Sequence, residues 1–233
     1  DTFCIDGQWP DLMIQGYEAK DAGFLSAVRP RDKMPEQVQA VLDAFGPKLG
    51  WYRYRNSFSM EIRVKDEHSY FIDPCCRWPM PPTSSKCELW QNLPEIIWAG
   101  AHGELEQPIS TANYAAECAL TMKMEKEEWG RVEIPKELKQ WLKFGNCCQV
   151  DGMIAFPPLE FRESKVGWLV ATGVTPEAVI NTMIERIAML PPGLECDIMP
   201  IAELLKEIRE AEEQGIEFAE DEIPDPSTVL EEV

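Results

Sequence analysis

Apolar positions along the chain alternate between two periods, and the switches between them mark the elements. Residues 2–30 read as extended: Phe3, Cys4 and Ile5 lead into a turn at Asp6-Gly7, and Gly23 to Val28 forms a second strand pattern. From Met34 to Phe45 the period changes to that of a helix. Val38, Val41, Leu42 and Phe45 fall on one face, Pro35 sits where a first helical turn needs no N–H, and Gly46-Pro47 predicts the end. Ser59 to Arg77 returns to the strand period as two short segments around a polar turn. A helical stretch from Ser84 to Gly103, interrupted near Pro94, has Leu89, Leu93, Ile96, Ile97 and Gly100 on its predicted buried side. Strand, helix, strand, strand, helix is the order of an α+β fold, a mainly antiparallel sheet with packed helices.

The texture changes after Pro108. Ala115 to Met122 reads as a strand, with helix as the alternative, and Pro135 to Phe144 as a short helix closed by Gly145. Met153 to Phe156 and Gly167 to Ala171 are strand patterns. Thr175-Pro176-Glu177 is a helix start with a hydroxyl cap and proline at the first helical position. Val179, Met183, Ile187 and Leu190 follow as a core stripe that Pro191-Pro192-Gly193 stops. A last amphipathic helix runs from Pro200 to Gln214 with Leu204, Leu205 and Ile208 inward. The pattern divides the chain into a first unit at 1–108, a small β-rich α+β unit at 109–199, and a helix with an acidic tail at 200–233.

Composition narrows the function classes. Hydrophobic residues make up 45% of the 233, with 8 Trp and 9 Phe, which is enough for a buried core and excludes a disordered chain. Trp51, Trp78, Trp90 and Trp98 lie among apolar neighbours and are expected in that core. The net charge of −19 opposes binding to nucleic acid or to an anionic membrane. About half of that excess lies between Glu203 and Val233, where twelve acids face only Lys206 and Arg209. Such a segment reads as solubilising or loosely docked. No apolar run approaches the roughly 20 residues that span a bilayer, and no secretory leader pattern opens the sequence. A chain that begins at Asp1 fits a processed product or a piece of something longer. The eight cysteines include two adjacent pairs, Cys75-Cys76 and Cys147-Cys148, without zinc-ligand spacing. Reduced, mostly buried thiols in a cytoplasmic protein are expected. His68 and His102 are the two imidazoles; both are expected at the surface, and triad chemistry is not.

The chemistry concentrates between Ser59 and Arg77. One strand presents Glu61, the next Asp73, and Arg77 follows. Magnesium takes one or two carboxylates and completes its shell with water and substrate phosphate oxygens. A guanidinium fork matches phosphate geometry, so Arg63 and Arg77 are candidate nucleotide-binding residues beside Glu61 and Asp73 as metal ligands. A hairpin with solvated, charged rims is the other reading of the same residues.

Glu61 in one strand and Asp73-Pro74-Cys75-Cys76-Arg77 in the next resemble the last part of an ATP-grasp catalytic core. The helix from Cys87 to Leu105 is similar to that of the phosphoribosylamine–glycine ligase branch, and so is Gly167-Trp-Leu-Val-Ala-Thr-Gly173 followed by Val174-Thr-Pro-Glu-Ala178. The resemblance touches most of residues 1–190. It implies a carboxy-terminal ATP-grasp subdomain with ATP and Mg2+ as cofactors. Glu61 and Asp73 would be the metal carboxylates. Arg77 would sit near phosphate or acyl phosphate as the catalytic cation, and Lys20 and Asp21 where the family places polar residues facing phosphates or acceptor. The implied activity is part of an ATP-dependent carboxylate–amine ligase with an acyl-phosphate mechanism. Its partners would be small-molecule carboxylate and amine substrates and the remainder of the core. The alternative is a non-catalytic ATP-grasp remnant that serves interaction or structure. Two departures stand out. Cys75 takes the family's asparagine position, and Trp78-Pro-Met-Pro-Pro82 replaces its Gly- and Asp-rich loop. The amino-terminal domain and lid of the family have no counterpart in 233 residues.

Overall fold

A computed structural model describes residues 1–65, 68–124, 127–158, 164–218 and 220–231. The hairpin turn at Asp66-Glu67 therefore lies outside the described residues. β1 (Thr2–Ile5) turns at Asp6 and Gly7, both at positive φ (51° and 83°), a region aspartate tolerates and glycine enters freely. β2 (Leu12–Ala19) and β3 (Gly23–Pro30) follow as an antiparallel pair. α1 (Glu36–Trp51) does not stop at Gly46-Pro47 as the sequence suggests; Pro47 lies inside it on an exposed side. The reason is tertiary. A Cβ on Gly46 would lie 3.1 Å from the Gly7 carbonyl oxygen and 3.2 Å from Trp9 Nε1. Glycine is there for close approach of the helix to the β1 turn, and that packing outweighs the local stop signal.

β4 (Arg55–Lys65) and β5 (His68–Cys75) form the hairpin expected around Glu61 and Asp73. α2 (Thr83–Leu89) and α3 (Leu93–His102) are the predicted helical stretch, broken at Trp90 to Asn92. The Asn92 side chain stitches that break to the following loop, donating to the Gln107 carbonyl (2.9 Å) and accepting from the Ile109 N–H (2.8 Å). Ile96 and Gly100 are buried, but Ile97, placed on the inner side by the sequence, faces out.

The later part holds β6 (Tyr114–Met122), β7 (Gly130–Val132), β8 (Leu142–Phe144), β9 (Cys148–Val150), β10 (Met153–Phe156), β11 (Lys165–Gly173), α4 (Pro176–Ala188), β12 (Leu194–Cys196), α5 (Met199–Glu213) and α6 (Pro226–Glu231). The helix expected from Pro135 to Phe144 is instead a single 3-10 turn, Lys136–Leu138, followed by β8. Leu138 and Leu142 are both buried, and their spacing imitates a helical stripe. The edge of β11 takes the segment as a strand, pairing Leu142 with Leu169. The α4 start is as predicted, with Thr175 Oγ1 accepting from the Ala178 N–H at 3.2 Å.

Among the described residues every strand pairing is antiparallel. One sheet runs β1-β4-β5, another β7-β10-β9, and the largest β2-β3-β6-β11-β8 with β12 on β6. The main core lies between the large sheet and α4, α5 and the segment after them. A second core joins Phe3, Ile14, Phe24, Leu89 and Ile96, and a third packs Trp9, Met13, Leu42, Leu49 and Phe58 under α1.

Three expectations are overturned. The acidic tail is not loosely docked, because Phe218, Ile223 and Val229 are buried in the main core. Arg29 donates to the Glu217 carbonyl and Tyr114 to the Asp221 carboxylate at 2.8 Å. The thiols are not mostly buried: Cys4 and Cys118 are, while Cys76, Cys87, Cys147 and Cys148 are exposed. Of the four tryptophans, Trp90 is core, but Trp51 (84% exposed) and Trp98 (72%) stand in solvent.

Candidate functional site

The β4–β5 hairpin has two distinct faces. Phe58, Met60 and Phe71 turn toward α1, where Phe45 meets the Phe58 ring at 5.6 Å and the Phe71 ring at 5.3 Å. Alternation places Ser59, Glu61, Arg63 and Lys65 on the other face. The register sets Glu61 directly opposite Asp73, and Ser59 opposite Cys75. Residues opposed in an antiparallel pair project to one side with Cβ atoms about 4.5–5.5 Å apart. The two acids thus share one exposed face. An irregularity follows at once: Ile62 opposes Phe71, leaving Ile72 as an extra, half-exposed residue. Such bulges re-aim side chains locally.

Arg63 returns along the strand, its Nε donating to Glu61 Oε1 at 2.8 Å. Arg77 is exposed at the end of the hairpin and donates to the Trp78 carbonyl at 3.0 Å. Trp78 turns inward against Phe3, ring centroids 5.7 Å apart, and leaves both acids open to solvent. Lys20 and Asp21 lie at the exposed tip between β2 and β3. Asp21 is at φ 63° and its carboxylate accepts from Lys165 Nζ at 2.9 Å, a bond that holds its pKa below the ordinary value.

One acid at this front escaped sequence reading. Glu18, at the exposed end of β2, has its carboxyl pushed up, first by partial desolvation and then by the charges of Glu61 and Asp21, against the pull of Arg63 and Lys20. The two sheets therefore bring Glu18, which also feels Lys20 and Asp21 at the adjoining tip, into the electrostatic neighbourhood of Glu61 and Arg63. Neighbouring carboxylates raise one another's pKa and favour a cation between them. Among the described residues no three acid, thiol or imidazole groups form a metal cage. Two exposed carboxylates fit magnesium, which keeps water and phosphate oxygens in its shell, better than a metal that needs an all-protein site. Cys75, with its soft sulfur, is half-exposed beside them and is a poor ligand for a hard ion.

At the hairpin's base lie two buried ionisable residues, Lys86 and Glu117. Lys86, on α2, is 0% exposed; its Nζ donates to Ser57 Oγ of β4 at 2.9 Å. It also lies 3.5 Å from Asp1 Oδ1, 5.6 Å from the Phe3 ring centre and 5.8 Å from that of Trp78. Burial pulls its pKa down to about 7, opposed by Cys75, Glu117 and Cys87. Glu117 of β6 is raised to about 7, again by burial, against hydrogen bonds from Ser85 and Ser84. Among the described residues its Oε2 has no hydrogen-bond partner. A lone acid inside the apolar run from Ala115 to Met122 was the clue to Glu117.

Three antiparallel sheets, helices packed against them and an acid-bearing hairpin turned outward make up a fold like that of part of a known ligase. Among solved structures the chain is similar to the phosphoribosylamine–glycine ligase of Thermotoga maritima, with a TM-score of 0.60 and 16% identity over 84% of this chain and 53% of that one. It thus spans about half of that ligase. Weaker likenesses, both at a TM-score of 0.45, are to a phosphoribosylglycinamide synthetase from Anaerococcus prevotii (10% identity; 84% of this chain, 51% of that one) and a single-chain, multi-domain long-chain acyl-CoA carboxylase (11%; 83% and 24%). No family model and no curated protein matches the sequence. Among the described residues no helix is long and apolar enough to cross a membrane.

Proposed function

We propose that this chain is part of an ATP-dependent carboxylate–amine ligase, and that its hairpin holds magnesium nucleotide through Glu61 and Asp73. The observation that carries the reading is the register of β4 on β5, which sets these two acids opposite each other on an open face of an ATP-grasp-like fold. Bound magnesium would neutralise the charge that develops on a transferred phosphoryl group. The chain's own groups do the positioning. Arg63, now paired with Glu61, is placed to exchange that partner for a phosphate oxygen, and Arg77 is the fork for a phosphate or acyl phosphate. Lys20 and Asp21 line the neighbouring tip, with Glu18 as a further carboxylate. In the reaction class, a substrate carboxylate oxygen attacks the terminal phosphorus of ATP and ADP leaves. An amine then attacks the acyl carbon and phosphate leaves. No protein nucleophile is required.

The chain spans about half of the ligase it resembles, so the activity of the whole belongs to this chain together with the remaining part of such a core. The second reading, a non-catalytic remnant, draws on Cys75 standing where a hard-ion ligand is needed. Calorimetric titration of magnesium ATP separates the two. The ligase reading expects saturable binding by the complete assembly and at least a tenfold loss in Glu61→Ala with unchanged circular dichroism. Equal affinity in that variant sinks it. The isolated chain is expected to show no ATP turnover; robust turnover would mean that no further domain is needed.

A further inference from the structure

A second site lies away from the hairpin, in a protein whose overall charge makes it conspicuous. An open cleft of about 570 Å3 is walled by β7, the 3-10 turn after it and the loop after α4. Arg131, Lys136 and Lys139 line it, with Glu133 the acid beside them and Pro135, Pro191 and Pro192 as apolar walls. The lining is cationic in a chain of net charge −19. None of the three cations has an ion-pair partner within 4 Å among the described residues, whereas Lys123, Lys143 and Lys165 of the same half of the chain each do. The proline walls fix the backbone on both sides. The volume is that of a small-molecule site. Net negative charge elsewhere does not cancel the local field, because ionic screening limits its reach to about 8 Å at physiological salt.

We propose that this cleft binds a small phosphate-bearing anion through Arg131, Lys136 and Lys139. Arg131 supplies a planar fork for two phosphate oxygens, and the lysines supply mobile point charges for the rest. A ligand with at least two negative charges matches three cations against one acid. The cleft is separate from the hairpin: among the described residues β7 pairs only with β10, and neither strand pairs with β4 or β5.

The test is a titration of pyrophosphate into the protein at 150 mM salt, followed by calorimetry and by amide chemical shifts. EDTA is present throughout, so that the hairpin acids have no metal through which to hold it. One saturable site is expected, with shifts centred on residues 130–139. The double substitution Arg131→Gln with Lys136→Gln should weaken it at least tenfold, whereas Lys48→Gln on α1 should change it less than twofold. All three positions are exposed, and circular dichroism checks that the fold is kept. Absence of saturable binding, equal weakening in the Lys48 variant, or citrate binding as tightly as pyrophosphate would overturn the assignment.

Discussion

The hairpin β4–β5 and the segment after α5 were opposites in the sequence, and they are opposites in the structure, but with roles exchanged. The tail carries dense negative charge yet is pinned by Phe218, Ile223 and Val229. The hairpin has two apolar runs yet leaves Tyr70, Phe71 and Ile72 at the surface. Charge density does not decide docking; what decides it is whether apolar side chains recur at a spacing that reaches a core. Three anchors in twelve residues suffice for the tail, and among the described residues its acids are exposed, with Asp221 accepting from Tyr114 and Glu217 paired with Arg29. In the hairpin only one face has such anchors. The other is spent on charged groups that no core requires, which is where a binding function is to be sought.

The contrast can be broken first at its strongest point. Phe218→Ala should cost about 4 kcal/mol of unfolding free energy in urea, the range for a buried phenylalanine. A loss below about 1 kcal/mol would mean the tail is only loosely attached after all.

Next in size is a pH effect beneath the hairpin. Glu117 moves from its ordinary 4.5 to about 7 on folding. Its contribution to stability is fully present below 4.5 and is lost as pH rises through about 7. At about 1.4 kcal/mol per unit this is on the order of 3 kcal/mol. Lys86 moves the other way, from 10.5 to about 7, so its contribution is present above 10.5 and is lost as pH falls through about 7. Stability measured by urea unfolding should therefore dip near neutrality. Glu117→Gln should flatten the acid-side limb alone; an unchanged profile would remove Glu117 as its cause.

Smaller effects sharpen the comparison. Tyr114→Phe deletes the hydrogen bond to Asp221 and should cost about 1 kcal/mol, against nearly nothing for the exposed Tyr70→Phe. Glu61→Ala should change stability by less than about 0.5 kcal/mol, since its one described ion pair is exposed.

Local signals with a single physical meaning were legible. Thr175-Pro176 caps α4 as read, and Leu204, Leu205 and Ile208 are all fully buried. The hairpin was legible as well, because two strand-period segments around a polar turn need no tertiary information. Signals that tertiary packing can overrule were misread. Gly46-Pro47 looks like a stop until a turn is seen resting on Gly46. Leu138 and Leu142 look helical until β11 offers an edge. Glu18 and Lys86 were missed for another reason: their importance lies in what approaches them from distant segments, and no spacing along the chain encodes that. The three tail anchors were visible, but twelve acids drew attention from them.

The central claim, that Glu61 and Asp73 jointly hold a hard cation next to a nucleotide, is tested most directly by paramagnetic titration. Manganese, standing in for magnesium, is added to the complete assembly with ATP and read by electron paramagnetic resonance. The account expects tight manganese binding that falls at least tenfold in Glu61→Gln and in Asp73→Asn, with the double variant little worse than either single one. Manganese bound equally well by all four proteins would contradict it.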